Sequence, residues 1–360
     1  PVPGLGWSSP VVHAGRIYVT TATPTADDGR SLRLVCLDAK TGDIAWDKEL
    51  FTQPASVKMH SKNSHASPTP LVAGDRVIAH FGPHGTACTT LDGEVVWKRT
   101  LPYGPTHGNG GSPARAGDLI VICCDGHDEQ YVVGLDIATG AVRWKSGRDT
   151  EARKGFSFAT PLVTTVDGVP QAICPGSDAV FAYEPATGRE IWRVDYPGGY
   201  SVIPRPVHAC GLVFVCSGYD KATLLAIDPT GQGDVTATHV RWTLDRGVPH
   251  TPSVLVVGDE LYCVADSGVA TCVDARTGAE RWRQRLGGNY SASPLHAGGV
   301  VYFQDEKGEA VLVKAGPVFE ELARNQWGGG DRTFASYAVD GGALVVRSES
   351  AVYRIAPGAP

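Results

Sequence analysis

One phrase returns again and again in this 360-residue chain: Ser/Thr-Pro, a Gly turn, an apolar strand, Asp-x-x-Thr-Gly, then Trp. Its fullest copies run Ser9-Pro10, Gly15, Asp38-Ala39-Lys40-Thr41-Gly42, Trp46 and Thr251-Pro252, Gly258, Asp274-Ala275-Arg276-Thr277-Gly278, Trp282. Self-similarity at a period of about 40 to 50 residues marks units that cannot bury their apolar faces alone and must stack on neighbours. The length therefore does not divide into two or three independent domains, and residues 1–360 read as one closed array.

Each unit opens on a residue before Pro, which suits a strand start because Pro gives no N–H to a ladder. The starts are Ser9-Pro10, Ser67-Pro68, Ser112-Pro113, Thr160-Pro161, Ile203-Pro204, Thr251-Pro252 and Ser293-Pro294, with Ser336-Tyr337 keeping the spacing without the Pro. A second strand follows (Arg76-Val77-Ile78-Ala79, Leu212-Val213-Phe214-Val215), then a third ending in an acid such as Asp38, Asp136, Asp228 or Asp274. A Gly turn leads to a fourth strand bearing Trp46, Trp97, Trp144, Trp192, Trp242 or Trp282. Four short strands per unit at this period mean a propeller blade. The expected fold is all-β: an eight-bladed β-propeller of four-stranded antiparallel blades around a central channel. Phe319 stands where the seventh Trp is expected. The eighth unit ends at Val352-Tyr353-Arg354-Ile355 before a fourth strand, and that outer strand is expected from the N-terminal side, upstream of Pro1 or in shortened form from residues 1 to 6.

A Trp recurring once per blade is a packing device: it buries a large apolar area between blades, and its indole N–H can reach a carbonyl. Trp7 and Trp327 lie outside that register and are better candidates for function.

A formal charge of −6 and the lack of a Lys/Arg cluster give no electrostatic reason to expect nucleic acid. The apolar runs are far shorter than the roughly 20 residues of a membrane-spanning helix. The opening Pro-Val-Pro-Gly carries no charged n-region or apolar h-region. Neither a Gly-x-x-x-x-Gly-Lys-Ser/Thr loop nor a Gly-x-Ser-x-Gly elbow is present, so nucleotide hydrolysis and serine-hydrolase chemistry have no foothold.

Nine cysteines without zinc-type spacing read mainly as buried thiols. Period two sends the adjacent Cys123 and Cys124 to opposite strand faces. A two-residue hairpin centred on Ser267 and Gly268 would set Cys263 opposite Cys272 and permit a disulfide.

The Asp-x-x-Thr-Gly-x-x-x-Trp signature, complete at Trp46, Trp144 and Trp282 and at Trp192 with Glu184 in place of the Asp, resembles the pyrroloquinoline-quinone-type propeller repeat of quinoprotein alcohol dehydrogenases and of the propeller lipoprotein of outer-membrane assembly. Segments such as Asn63-Ser64-His65-Ala66-Ser67-Pro68 and Gly288-Asn289-Tyr290-Ser291-Ala292-Ser293-Pro294 resemble an exported bacterial subfamily without assigned activity, which implies a periplasmic or secreted protein. In the dehydrogenases the quinone and a calcium ion are held by a Glu/Asn/Asp set with a catalytic Asp, a stacking Trp and a vicinal disulfide. Cys123-Cys124 and Asn109 are similar to parts of that set, but no Glu or catalytic Asp is placed by motif, so no catalytic role carries over.

In a propeller the loops entering the innermost strands gather at one mouth. The residues before each start are Trp7, His65, Asn109 with its neighbour His107, Phe158, Tyr200, Arg205, His250, Tyr290 and Arg332. Aromatic faces, imidazoles and guanidinium groups in one ring suit a small anionic or polyhydroxylated ligand; alternatively they plug the channel, or a blade edge holds a protein partner. Neutral imidazoles at His65, His107 and His250 could ligate a metal, but no ligand motif supports it and no metal is assigned. Two functions follow: a binding or interaction scaffold of the bacterial envelope, or a quinone- or metal-dependent periplasmic oxidoreductase.

Overall fold

A computed structural model describes residues 1–328 and 330–356. Its strands form eight small sheets in a closed ring, seven of them with four antiparallel strands built in chain order and the last with three. Blade 4 gains a fifth, parallel strand, Gly233–Asp234, from an excursion of blade 5 that also holds the one-turn helix Thr236–His239. No described helix is long and apolar enough to cross a membrane.

The recurring phrase has a common geometry. At the end of the third strand the Asp carboxylate accepts the following turn's N–H groups, as Asp38 does from Lys40 (2.8 Å) and Thr41 (2.9 Å). These backbone bonds hold the Asp38 carboxyl below its usual range, and at Asp136 and Asp274 the Thr139 and Thr277 hydroxyls are the larger cause of the same lowering, with the turn N–H groups adding to it. In seven blades a β-bulge interrupts the register where the third strand approaches the turn, for example between Cys272 and Val273. The bulge re-aims the fourth strand, and its Trp lies across the next blade. The indole N–H of Trp46 donates to Leu91 O (3.0 Å), Trp97 to Ile137 O (2.8 Å), Trp144 to Pro185 O (2.8 Å) and Trp242 to Ala275 O (3.2 Å). The Thr-Gly glycine lies beneath the ring: a Cβ on Gly140, at φ 69°, would stand 2.5 Å from Trp97. Trp192 is the variant, donating to Gln171 Oε1 (2.9 Å), whose amide bonds Pro229 O of the next blade.

Apolar clusters fill the spaces between blades rather than one central core; Trp192, Val194, Val213 and Ile227 join blades 4 and 5. The closing interface of blades 8 and 1 packs Val345 on Val19, Val35 and Leu37. Arg347, 1 % exposed, clasps it by donating to Thr20 O (2.8 Å) and Ser8 O (3.2 Å).

Two expectations are corrected. Phe319 does not occupy the Trp position of blade 7: Ala323 does, opposite Leu312, and Phe319 lies in the preceding loop against Trp282 at 5.2 Å. Cys263 pairs with Thr271 and Cys272 with Tyr262, because the turn spans one residue more than a two-residue hairpin; the two thiols point to opposite faces and stay free. Cys123 and Cys124 do part to opposite faces, into the interfaces with blades 4 and 2.

Blade 8 consists of Ala338–Asp340, Ala343–Arg347 and Val352–Ile355. Residues 1 to 6 run elsewhere, Val2 N–H donating to Ser350 O and Leu5 pairing with Ala22 of blade 1. Outside Val352–Ile355 lies a cleft of about 740 Å³ bounded by Arg354, Asp340, Arg16 and Ala39. Among the described residues, nothing lies within 4 Å of the Cβ direction of Gly42, the blade 1 counterpart of Gly140. We propose that this edge accepts one further strand, which lays an aromatic side chain on Gly42. A synthetic peptide copying Glu280–Leu286, whose Trp282 could reach Ala39 O, should raise the melting temperature by a few degrees in a concentration-dependent way. The same peptide with Ala for Trp should not, and equal effects of the two would refute the idea.

Candidate functional site

The innermost strands are tied by a belt of side-chain hydroxyls. Ser9 N–H donates to Thr69 Oγ1 (3.0 Å), Thr69 to Ser112 Oγ (2.9 Å) and Ser112 to Thr160 Oγ1 (3.0 Å). Arg205 N–H donates to Ser253 Oγ (2.9 Å), Ser253 to Ser293 Oγ (3.0 Å), Ser293 to Ser336 Oγ (3.0 Å) and Ser336 back to Ser9 Oγ (3.1 Å). The belt therefore fixes the true equivalence of the starts: Thr69-Pro70, Arg205-Pro206 and Ser253 hold the positions read from sequence as Ser67-Pro68, Ile203-Pro204 and Thr251-Pro252. Seven positions carry a hydroxyl, and blade 5 carries Arg205.

Above the belt opens a channel pocket of about 380 Å³. Of the sequence-predicted residues, Trp7, His107, Phe158, Tyr200 and Arg205 line it. His60, Lys62, Phe156, Tyr219 and Phe334 join them. Three of these do not precede a start: His60 and Lys62 lie in the connection from blade 1 to blade 2, and Tyr219 follows a second strand; Phe334, two residues before Ser336 as Trp7 is before Ser9, and Phe156, four before Thr160, were within reach of the sequence and were passed over. The aromatic walls meet edge to face, His107 on Phe156 at 5.4 Å and Phe156 on Tyr200 at 5.7 Å. Two wall residues adopt left-handed backbone, His107 (φ 64°) and Ser201 (φ 53°), a conformation non-glycine residues keep only where surroundings enforce it.

The polar groups here are mostly donors. Arg205 reaches the lumen, but the surrounding ring of protein partly desolvates it and pulls its pKa down; its one side-chain bond is a long one from Nε to Pro161 O (3.5 Å). Trp7, 8 % exposed, has an Nε1–H without a partner among the described residues. Lys62 pairs with Glu306 (3.1 Å), which also accepts from Ser291 Oγ (2.7 Å). No Asp or Glu is among the described lining residues.

The remaining predicted residues lie outside this pocket. Arg332 pairs with Glu349 (2.7 Å) and covers Trp7 from behind at 5.3 Å. His250 stacks under Tyr219 at 4.7 Å, its backbone N–H held by Asp266 Oδ1 (2.9 Å). Tyr290 is fully buried among Tyr262, Leu286 and Phe303, and burial raises its pKa. Trp327 packs on Tyr353 at 5.5 Å. His65 and Asn109 line a second pocket, also about 380 Å³, between blades 1, 2 and 3; His107 forms the ridge shared by both.

Neither a quinone–calcium pair nor a transition metal fits these residues. Calcium takes oxygen ligands, chiefly carboxylates, and the channel lining supplies hydroxyls and cations instead. Cys123 and Cys124 are sealed in blade interfaces and cannot flank a ligand in the channel. His65, His107 and His250 do not form one set, and no group of three or more His, Cys, Asp or Glu among the described residues is arranged to hold a metal.

No curated protein matches the chain. Among solved structures, BamB from Moraxella catarrhalis superposes with a TM-score of 0.69 at 14% identity, covering 97% of this chain and 93% of that one. A europium-containing methanol dehydrogenase gives 0.70 at 12%, covering 96% and 83%. The computationally designed Ika8 protein gives 0.66 at 12%, covering 99% and 100%. At such identities these likenesses establish the fold, and the match to a designed protein underlines that shape alone carries no activity. A family profile described as outer membrane protein assembly factor BamB matches residues 2–170, 128–249 and 233–345. Its overlapping matches run over nearly the whole length, and the chain belongs to this PQQ-type propeller family.

Proposed function

We propose that this chain is a binding protein of the bacterial cell envelope whose channel pocket takes a small planar anion, an aromatic or conjugated carboxylate. Family membership supports the envelope location and leaves the blade edges available for protein partners. One observation carries the ligand reading: Arg205 replaces a hydroxyl in a belt otherwise made of Ser and Thr, in a pocket with no lining carboxylate. Its guanidinium suits a carboxylate, the Trp7 indole N–H adds a donor, and Phe156, Phe158 and Tyr200 offer faces and edges to a flat ring.

The variant Arg205→Ser tests this, because it completes the belt while removing the charge. Titration with benzene-1,2,4-tricarboxylate should give saturable binding that weakens at least tenfold in Arg205→Ser, with the melting temperature unchanged or raised. Unchanged affinity, or a large loss of stability, would mean that Arg205 only plugs the channel. The oxidoreductase alternative has its own test in pyrroloquinoline quinone with calcium. The absence of lining carboxylates leads to the expectation of no calcium-dependent quinone spectrum and no dye reduction with alcohols.

A further inference from the structure

The side pocket beside the channel holds polar chemistry that the fold does not satisfy. Gln53 ends the outer strand Ile44–Gln53 of blade 1 and is 3 % exposed, yet among the described residues neither its Nε2 nor its Oε1 has a hydrogen-bond partner. His65 Nδ1 and Asn109 Nδ2, in the walls of the same pocket, are also without partners. Buried amide groups are nearly always paired, and each unmet donor or acceptor destabilises the fold by the desolvation it has undergone. Two such atoms on one side chain that lines a cavity of about 380 Å³ point to a partner that arrives from outside.

The walls define that partner. Tyr103 Oη donates to Asn109 Oδ1 (3.0 Å), which turns the Asn109 NH₂ away as a free donor. Phe81 and Met59 supply apolar surface. Gly82 and Gly108 keep the space open and the walls close: a Cβ on Gly82 would stand 2.8 Å from Asn109 Cβ, and one on Gly108 2.2 Å from Met59 Sδ. Burial holds His65 and His84 below their ordinary pKa, so both imidazoles are neutral near pH 7. Gln53 offers one donor and one acceptor on adjacent atoms, and the group that meets both is another amide edge. A carboxylate would leave Oε1 against negative charge, and an ammonium would meet Nε2–H with another donor.

We propose that this pocket binds a small uncharged molecule through a carboxamide or lactam edge, paired by two hydrogen bonds with Gln53 while its body lies against Phe81 and Met59. The site is independent of the channel reading, since neither Gln53, His65 nor Asn109 lines the channel pocket.

Nicotinamide is a suitable probe and nicotinate its control. Titration of the full chain, followed by calorimetry, should show saturable nicotinamide binding that is at least tenfold weaker for nicotinate and for Gln53→Leu, and unchanged in Arg205→Ser. Gln53→Leu removes two unmet polar atoms, so its melting temperature should hold or rise. Should that variant fail to fold, the side-chain amide resonances of Gln53 in the unaltered protein decide: they should shift and exchange more slowly with water on nicotinamide addition. No binding at millimolar nicotinamide, equal affinity for nicotinate, retention of binding by Gln53→Leu, or an unmoved Gln53 amide signal would each overturn the proposal.

Discussion

Replacing Asp125 by Ala should cost about 3–5 kcal/mol of stability, because it strands a buried guanidinium. Asp125 ends the second strand of blade 3, Leu119–Asp125, and Arg148 follows that blade's outer strand. The pair is bidentate, Nε to Oδ1 at 2.7 Å and Nη2 to Oδ2 at 3.0 Å, with side-chain exposures of 0% and 1%. Arg148 also donates to Cys174 O (2.7 Å) and Pro175 O (3.1 Å) at the end of the second strand of blade 4. It is thus a bolt across a blade interface, with four of its N–H groups given to a carboxylate and two carbonyls. Burial pushes the Asp125 carboxyl up and works against its charge, while the facing guanidinium works the other way; the bidentate geometry and the two further bonds of Arg148 to carbonyls favour the ion pair. Removing both partners together, as Asp125→Leu with Arg148→Met, should recover most of the loss, since well-packed apolar replacement of a buried pair is often neutral or better. Urea unfolding measures both, and a loss below about 1 kcal/mol for Asp125→Ala would show that water or a shifted side chain satisfies Arg148.

The blades were legible because their signals are local and repeated. A Pro at a strand start, an Asp capping a turn and a Trp at a fixed offset each act within one unit, and eight copies average out the exceptions. Phe319 was misassigned because the bulge and loop of blade 7 place Ala323 at the Trp offset instead. The cysteine pairing of blade 6 failed for a similar reason, since one additional turn residue exchanges every facing pair. The channel was half legible. Proximity to the starts located Trp7, Phe158, Tyr200 and Arg205 but not Lys62 or Tyr219, which come from other loops and meet the channel only in three dimensions. The belt was hidden in plain view: the Ser of Ser9-Pro10, Ser112-Pro113 and Ser293-Pro294 reads as a strand start, whereas its hydroxyl accepts the N–H of the preceding blade. Only that cyclic register reveals that Arg205 occupies a hydroxyl's place. Gln53 gave no signal, because a Gln at a strand end is ordinary until its amide is found buried without a partner.

Acidification from pH 7 to pH 4 should cost about 3 kcal/mol through His80 alone. This residue ends the second strand of blade 2, is 0% exposed, and has Nδ1 2.8 Å from Thr86 Oγ1 and Nε2 without a partner. Burial lowers its pKa from 6.5 to about 3. Between those values the unfolded chain binds a proton that the folded chain refuses, so stability falls as pH is lowered through 6.5 and the loss levels off near 3. His65, His84, His107 and His208 are also shifted down by burial and add slope of the same sign. The turn carboxylates Asp38, Asp136 and Asp274, which are held below 3.8, lose their contribution only at lower pH. The two groups therefore separate in the titration: His80→Leu should flatten the stability profile between pH 6.5 and 4 and leave the steep fall below pH 4 in place. Urea midpoints taken across that range provide the measurement. A His80→Leu profile parallel to that of the unaltered protein would mean that the imidazole is protonated in the folded state, with water reaching Nε2 at the end of the strand.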